Sequence, residues 1–191
     1  MRVGVFGGSF DPVHTGHLKL ARAAAQQLHL DQVRFVPASL QPLKRQGPQA
    51  GPEDRVAMLR LAITGEPGFV LDGRELSRPG PSFTVDTLRE ITTEHPEDRL
   101  FLILGADAVR EFPRWREADE VAKLAGVVVI PRPGSETRDL PAGATVLDIA
   151  PMDVSASGVR AAVRRGVSID TMVPPGVAQY IHDHGLYRTG A

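Results

Sequence analysis

The sequence predicts an α/β fold: a single domain over residues 1–191, built on an open parallel sheet with helices on both faces and a C-terminal helical segment. Three observations carry this. Strand-like and helix-like segments alternate along the chain, the order that a parallel sheet with crossover helices produces. The apolar runs VGVF, LFLIL and VVVI are continuous, as strands covered on both faces require, where a half-exposed strand would alternate. The first strand ends at Gly7-Gly8, just ahead of helical sequence, and in open α/β sheets ligands bind beyond the carboxyl ends of strands.

Each element has its own justification. Residues 2–7 form the first apolar run, and Leu18, Ala21, Ala25 and Leu28 then recur at helical spacing. The segment 33–37 repeats the strand signal, and Val56, Leu59 and Ile63 mark a second helix after the Gly/Pro-rich stretch 40–52. A strand is expected over 69–73, a helix over 84–95 and a strand over 99–105. Helical sequence follows over 106–124, then a strand over 127–131. A last strand near 145–149 precedes helices near 155–165 and 174–184, the latter closed by Gly185. The connections 38–52 and 132–144 are long for a compact domain and read as candidate lids.

Composition excludes several functions. Twenty-two Lys and Arg against 23 Asp and Glu leave a net charge of -1, which offers no bulk attraction for nucleic acid or an anionic membrane, so any anion site must be local. The absence of cysteine removes disulfide scaffolds, Cys nucleophiles, Cys-ligated zinc and iron–sulfur clusters together. The apolar run of the N-terminus is too short for a signal peptide or a membrane span, so the expected location is the cytoplasm.

The first turn, Gly7-Gly8-Ser9-Phe10-Asp11-Pro12-Val13-His14-Thr15-Gly16-His17, lets backbone N–H groups approach an anion before a helix begins. It lacks the G-x-G-x-x-G spacing of dinucleotide-binding dehydrogenases, and the chain contains no P-loop. His14 and His17, three apart at a helix start, share a face. They could donate to phosphate oxygens or join a metal site, although no third ligand lies nearby in sequence. Near the other end, Ser155-Ala156-Ser157-Gly158-Val159-Arg160 opens a helix. The serines could serve only as caps, or converge with helix amides and the Arg160 guanidinium on a polyphosphate.

The blocks Gly7-Gly8-Ser9-Phe10-Asp11-Pro12-Val13-His14-x-Gly16-His17 and Ser155-x-Ser157-x-Val159-Arg160 resemble the HxGH nucleotidyltransferase superfamily. Within it, Glu75-Leu76-x-Arg78-x-Gly80-x-Ser82-Phe83-Thr84-x-Asp86-Thr87-Leu88 is similar to nicotinate-nucleotide adenylyltransferases. So are Gly105-Ala106-Asp107, Trp115, Arg132-Pro133-Gly134 and a tail running from Val173-Pro174 to Leu186-Tyr187. The matches span residues 3–187 in the family's order. The sequence departs from the family where Leu43 precedes Lys44 in place of a histidine, where Phe83 stands for the usual tyrosine, and at Ala156.

The resemblance implies a Rossmann-like sheet and an enzyme that joins the AMP of ATP to nicotinate mononucleotide. It implies catalytic roles for His14, His17, Lys44 and Arg160. ATP would be held by Gly7, Gly8, Ser9, Phe10, Gly105, Asp107, Ser155 and Ser157, and the nicotinate nucleotide by Ser82, Phe83, Thr84, Trp115 and Arg132. Mg²⁺ would ride on the ATP phosphates, with no protein metal site. Neither nucleic acid nor membrane is expected as a partner, and a homo-oligomer is left open. The alternatives are a related enzyme acting on nicotinamide mononucleotide or another phosphorylated acceptor, and a nucleotide-binding module without turnover. A hydride-transfer enzyme stands third, having neither the glycine fingerprint nor an acid–base pair.

Overall fold

A computed structural model describes residues 1–39, 47–130, 140–141, 143–150 and 153–188, with the side chains of Ala106 and Asp107 left aside. The elements are β1 (Arg2–Gly8), α1 (Thr15–Gln27), β2 (Gln32–Pro37), α2 (Pro52–Ile63), β3 (Phe69–Leu71), α3 (Arg74–Ser77) and α4 (Thr84–Glu94). Then come β4 (Arg99–Gly105), α5 (Ala106–Glu111), a 3-10 turn (Phe112–Arg114), α6 (Ala118–Leu124), β5 (Ala125–Ile130), β6 (Thr145–Val146), α7 (Ala156–Arg164) and α8 (Pro175–Asp183).

Among the described residues the strands form one six-stranded sheet in the order β3-β2-β1-β4-β5-β6. Every pairing is parallel. Chain order reverses between β1 and β4, and a crevice opens at such a switch point beyond the strand ends. Gly7 and Gly8 end β1, and Gly105 ends β4, on the two sides of that crevice.

The continuous apolar runs have the expected cause. Val3, Val5, Leu100, Leu102, Leu104, Val127 and Val129 enter one buried cluster with Val85 and Leu88 of α4. The alternate residues Phe6, Phe101, Ile103, Val128 and Ile130 enter the other, with Leu18, Met58, Val159 and Val177 from α1, α2, α7 and α8. Gly4 lies between, where an added Cβ would stand 2.8 Å from Leu30 Cδ1. A side chain there would force the Leu30 and Ile103 side chains to shift.

Three sequence expectations need correction. The strand expected over 69–73 stops at Leu71, and a single helical turn, α3, follows; one turn is too short to display a 3.6-residue period. The helical stretch 106–124 is broken by the 3-10 turn carrying Pro113 and by extended Trp115, because proline supplies no N–H to an α-helical ladder. The strand near 145–149 shrinks to Thr145–Val146, which pairs on one side only, with β5. Among the described residues, no helix is long and apolar enough to cross a membrane.

Candidate active site

The loop leaving β1 is held by buried polar contacts. Arg55 of α2, 2% exposed, donates from one Nη1 to the carbonyl oxygens of Ser9 (2.7 Å) and Ala38 (2.8 Å), tying the exits of β1 and β2 together. Burial pulls its pKa down, against the charge of nearby Asp11. Asp11, also buried, accepts from the backbone N–H groups of Gln49 (2.8 Å) and Ala50 (3.0 Å) and precedes Pro12 through a cis peptide.

The chain then enters α1 with His14 as N-cap. The backbone N–H of His14 donates to His17 Nδ1 at 3.1 Å. With Nδ1 accepting, a neutral His17 carries its proton on Nε2, so that nitrogen is a donor. The two imidazoles stack at 3.7 Å between centroids. The His17 ring also meets Phe10 and Phe6 edgewise, at 5.0 Å and 6.0 Å. Gly16 makes room for this arrangement: a Cβ there would lie 2.8 Å from Val154 Cγ1 and 2.9 Å from His14 Nδ1.

At the start of α7, Ser155 Oγ accepts from the Gly158 N–H at 3.1 Å and lies 3.2 Å from Ser157 Oγ. Ser155 is therefore a cap, as the plainest sequence reading has it, and it also lines the cleft. Arg160, one turn on, donates from Nη1 to the Asp11 backbone oxygen at 2.6 Å, and the same nitrogen lies 3.6 Å from Asp11 Oδ2.

These pieces border one cleft of about 970 Å³ at the crevice, at the upper end of the range for small-molecule sites. Gly7, Gly8, Ser9, His14, His17, Ser155, Ser157 and Arg160 line it, as does Gly105. Gly7 and Gly105 have open space where a Cβ would stand, so main chain can approach a ligand there. From the opposite face of the sheet come Ser82, Phe83, Thr84 and Trp115. Trp115 packs on Phe112 with centroids 5.4 Å apart, and the Arg116 guanidinium sits 4.8 Å from the Phe83 ring centre. Phe83 is the N-cap of α4 with no side-chain capping bond, so Thr84 is the first helical residue and not the cap. In that first turn the Asp86 N–H already donates to the Phe83 carbonyl oxygen at 3.1 Å, which leaves the N–H groups of Thr84 and Val85 without a partner within the helix.

Of the residues expected from sequence, Phe10 is placed differently: its ring is 1% exposed in the core, where it packs the His17 ring rather than lining the cleft. Lys44 and Arg132 lie outside the described residues, and of Asp107 only its place in α5 is described. Sequence reasoning placed Glu75 at the head of the family-like block but gave it no role; it lines the cleft at 8% exposure and accepts from the Thr87 hydroxyl at 2.8 Å. Burial pushes its carboxyl pKa up, against the bond from Thr87 and the charge of Arg78. Sequence reasoning did not single out Arg55. An Arg that directly follows Glu53 and Asp54 carries no sequence signal of burial.

The cleft thus brings amides, imidazoles, hydroxyls and a guanidinium toward one side and aromatic rings with a helix N-terminus toward the other. Such a donor set suits phosphates. Among the described residues, no three His, Cys, Asp or Glu come together to hold a metal ion.

Residues 5–162 match the cytidylyltransferase-like family model. A Thermus thermophilus protein described as a probable nicotinate-nucleotide adenylyltransferase is 43% identical over 188 residues, covering 98% of this chain and 100% of that one. A similarly described Roseiflexus protein is 42% identical over 196 residues, covering 97% and 98%. Among solved structures, Plasmodium falciparum nicotinic acid mononucleotide adenylyltransferase complexed with NaAD superposes with a TM-score of 0.80 at 18% identity, covering 97% of each chain. At that identity the likeness speaks for the fold.

Proposed function

Since the chain belongs to the cytidylyltransferase-like family, among the nicotinate-nucleotide adenylyltransferases, we infer that it transfers the adenylyl group of ATP to nicotinate mononucleotide, giving nicotinic acid adenine dinucleotide and pyrophosphate. The observation that carries this reading is the joining of a phosphate-donor wall and an aromatic wall in one cleft. We read residues 1–191 as one nucleotidyltransferase domain, with a cytoplasmic location.

The chemistry needs little from the protein beyond positioning. A phosphate oxygen of the mononucleotide attacks the α-phosphorus of ATP in line, and the bond to pyrophosphate breaks. The attacking group is already ionised, so neither a general base nor a protein nucleophile is required. The barrier is the meeting of two anions, lowered by fixed donors aimed at the developing charge. His17, with its proton on Nε2, donates to the α-phosphate, and His14 to neighbouring phosphate oxygens. Arg160, Ser155 and Ser157 receive the β,γ end, where a guanidinium can bind two oxygens at once. The donors on the phosphate side fit a triphosphate rather than a bare cation. The phosphates would therefore hold the Mg²⁺, which supplies neutralisation of the leaving pyrophosphate.

On the acceptor side, Trp115 stacks on the pyridine ring. The N-terminus of α4 binds the nicotinate carboxylate, because orphan N–H groups and the helix dipole favour an anion there. A carboxamide would turn an NH₂ toward donors. Pyrophosphate release that requires ATP and nicotinate mononucleotide together tests this reading. Binding of both nucleotides without release would instead indicate a non-catalytic module.

A further inference from the structure

Asp11 belongs neither to the phosphate donors nor to the acceptor pocket, yet three distant segments of chain converge on it. Its Oδ1 accepts from the Tyr187 hydroxyl at 2.8 Å and from Ala50 N at 3.0 Å. Its Oδ2 accepts from Gln49 N at 2.8 Å and lies 3.6 Å from Arg160 Nη1, which also donates to the Asp11 backbone oxygen at 2.6 Å. Asp11 is 3% exposed and Tyr187 8%. A carboxylate pressed against a phosphate-binding guanidinium is a poor choice for attracting phosphate, since it offsets part of the positive charge. It is a good choice for fixing direction. With Nη1 committed to Asp11, a long side chain that would otherwise sample many rotamers is held in one.

We propose that Asp11 is a positioning residue that aims Arg160 at the ATP phosphates, and that Tyr187 of the C-terminal tail holds Asp11 in the orientation this requires. The proposal rests on the reading of Arg160 as a phosphate ligand. Tyr187 is suited to the task. Its backbone has φ 62, a left-handed conformation that a non-glycine residue adopts only when its surroundings hold it there. Burial, and then the charge of Asp11, push its hydroxyl pKa above the ordinary tyrosine value, which favours the protonated phenol that donates to Asp11. The contact spans 176 residues of sequence, and so the tail after α8 takes part in the site although it lines none of the cleft.

A double-mutant cycle tests this. Affinity for a non-hydrolysable ATP analogue is measured by calorimetry for the full-length wild type, Tyr187→Phe, Arg160→Ala and the double variant, with thermal transitions recorded alongside. Tyr187→Phe is expected to weaken binding about tenfold, the scale of one hydrogen bond to a charged group. In the Arg160→Ala background the same change should cost less than about twofold, because residues acting through one another are not additive. Asp11→Asn, if it folds, should repeat the pattern, with Tyr187→Phe sufficient if it does not. An equal loss in both backgrounds, or a lowered Tm with unchanged affinity, would overturn the proposal and make Tyr187 a purely structural anchor. Pyrophosphate release by the wild type is scored separately. Coupled binding without turnover would sink the enzymatic reading and leave the positioning role standing.

Discussion

At the scale of single residues, the site depends on directions that sidechain chemistry and neighbours set together. His17 is a donor because its Nδ1 is already occupied by the His14 N–H. Removing that donor in His17→Ala should lower kcat/KM by about 10²–10³ with a preserved thermal transition, by analogy with the loss of an oxyanion-hole donor. A near-normal rate would place the donor elsewhere. Gly16→Ala forces a methyl against Val154 and the His14 ring. It should cost about 1–3 kcal/mol of stability, as overpacking does, and should lower kcat as the imidazole is displaced; denaturant titration and steady-state rates check both. The histidine pair was legible in sequence because glycine spacing and an i,i+3 pair announce a helix start. The place of Phe10 was not, since sequence cannot distinguish a ring that meets a ligand from one that props a histidine. Asp11 with Tyr187 was illegible for another reason: no periodicity or spacing links positions 176 apart.

At the scale of elements, the strands could be read closely because burial on both faces writes an unbroken apolar run into each. α1 and α4 could be read because each lays an apolar stripe on the sheet, whereas α2 turns Arg55, Met58, Leu59 and Ala62 inward, so that of its expected stripe only Leu59 is buried. The junction of α3 and α4 was hidden. There Ser82 Oγ donates to the Glu75 carbonyl oxygen at 3.3 Å and Thr87 to the Glu75 carboxylate, so a buried acid fastens the helix start offered to the acceptor. Arg78, Asp72 and Glu90 are the charged groups that act on it. Burial raises the folded-state pKa of Glu75 above its unfolded value, so the folded protein binds the proton more tightly. The corresponding stability is fully present below the unfolded pKa and is lost as pH rises through the folded one. Glu75→Gln keeps an acceptor for Thr87 and removes the charge. Its Tm should match the wild type at about pH 4 and exceed it by a few degrees at neutral pH and above. A constant difference at all pH values would show that the charge of Glu75 costs nothing in the folded protein.

At the scale of the whole molecule, the order β3-β2-β1-β4-β5-β6 brings together what the sequence keeps apart. α1 and α7 pack on one face of the sheet and α4 on the other, so the cleft over the β1/β4 switch point receives phosphate donors from one side and the acceptor pocket from the other. Adenylyl transfer to an acidic pyridine nucleotide follows from that arrangement. The most direct measurement supplies ATP labelled at its α-phosphorus with nicotinate or nicotinamide mononucleotide and follows the label. It should appear in the dinucleotide and not in pyrophosphate. Nicotinate mononucleotide should be favoured at least about tenfold in kcat/KM, since exchanging a charge-assisted bond for an unpaired donor is worth ~1–3 kcal/mol. Equal or better use of the amide would contradict the assignment of the α4 N-terminus as a carboxylate site, and label left in ATP with either acceptor would contradict adenylyl transfer itself.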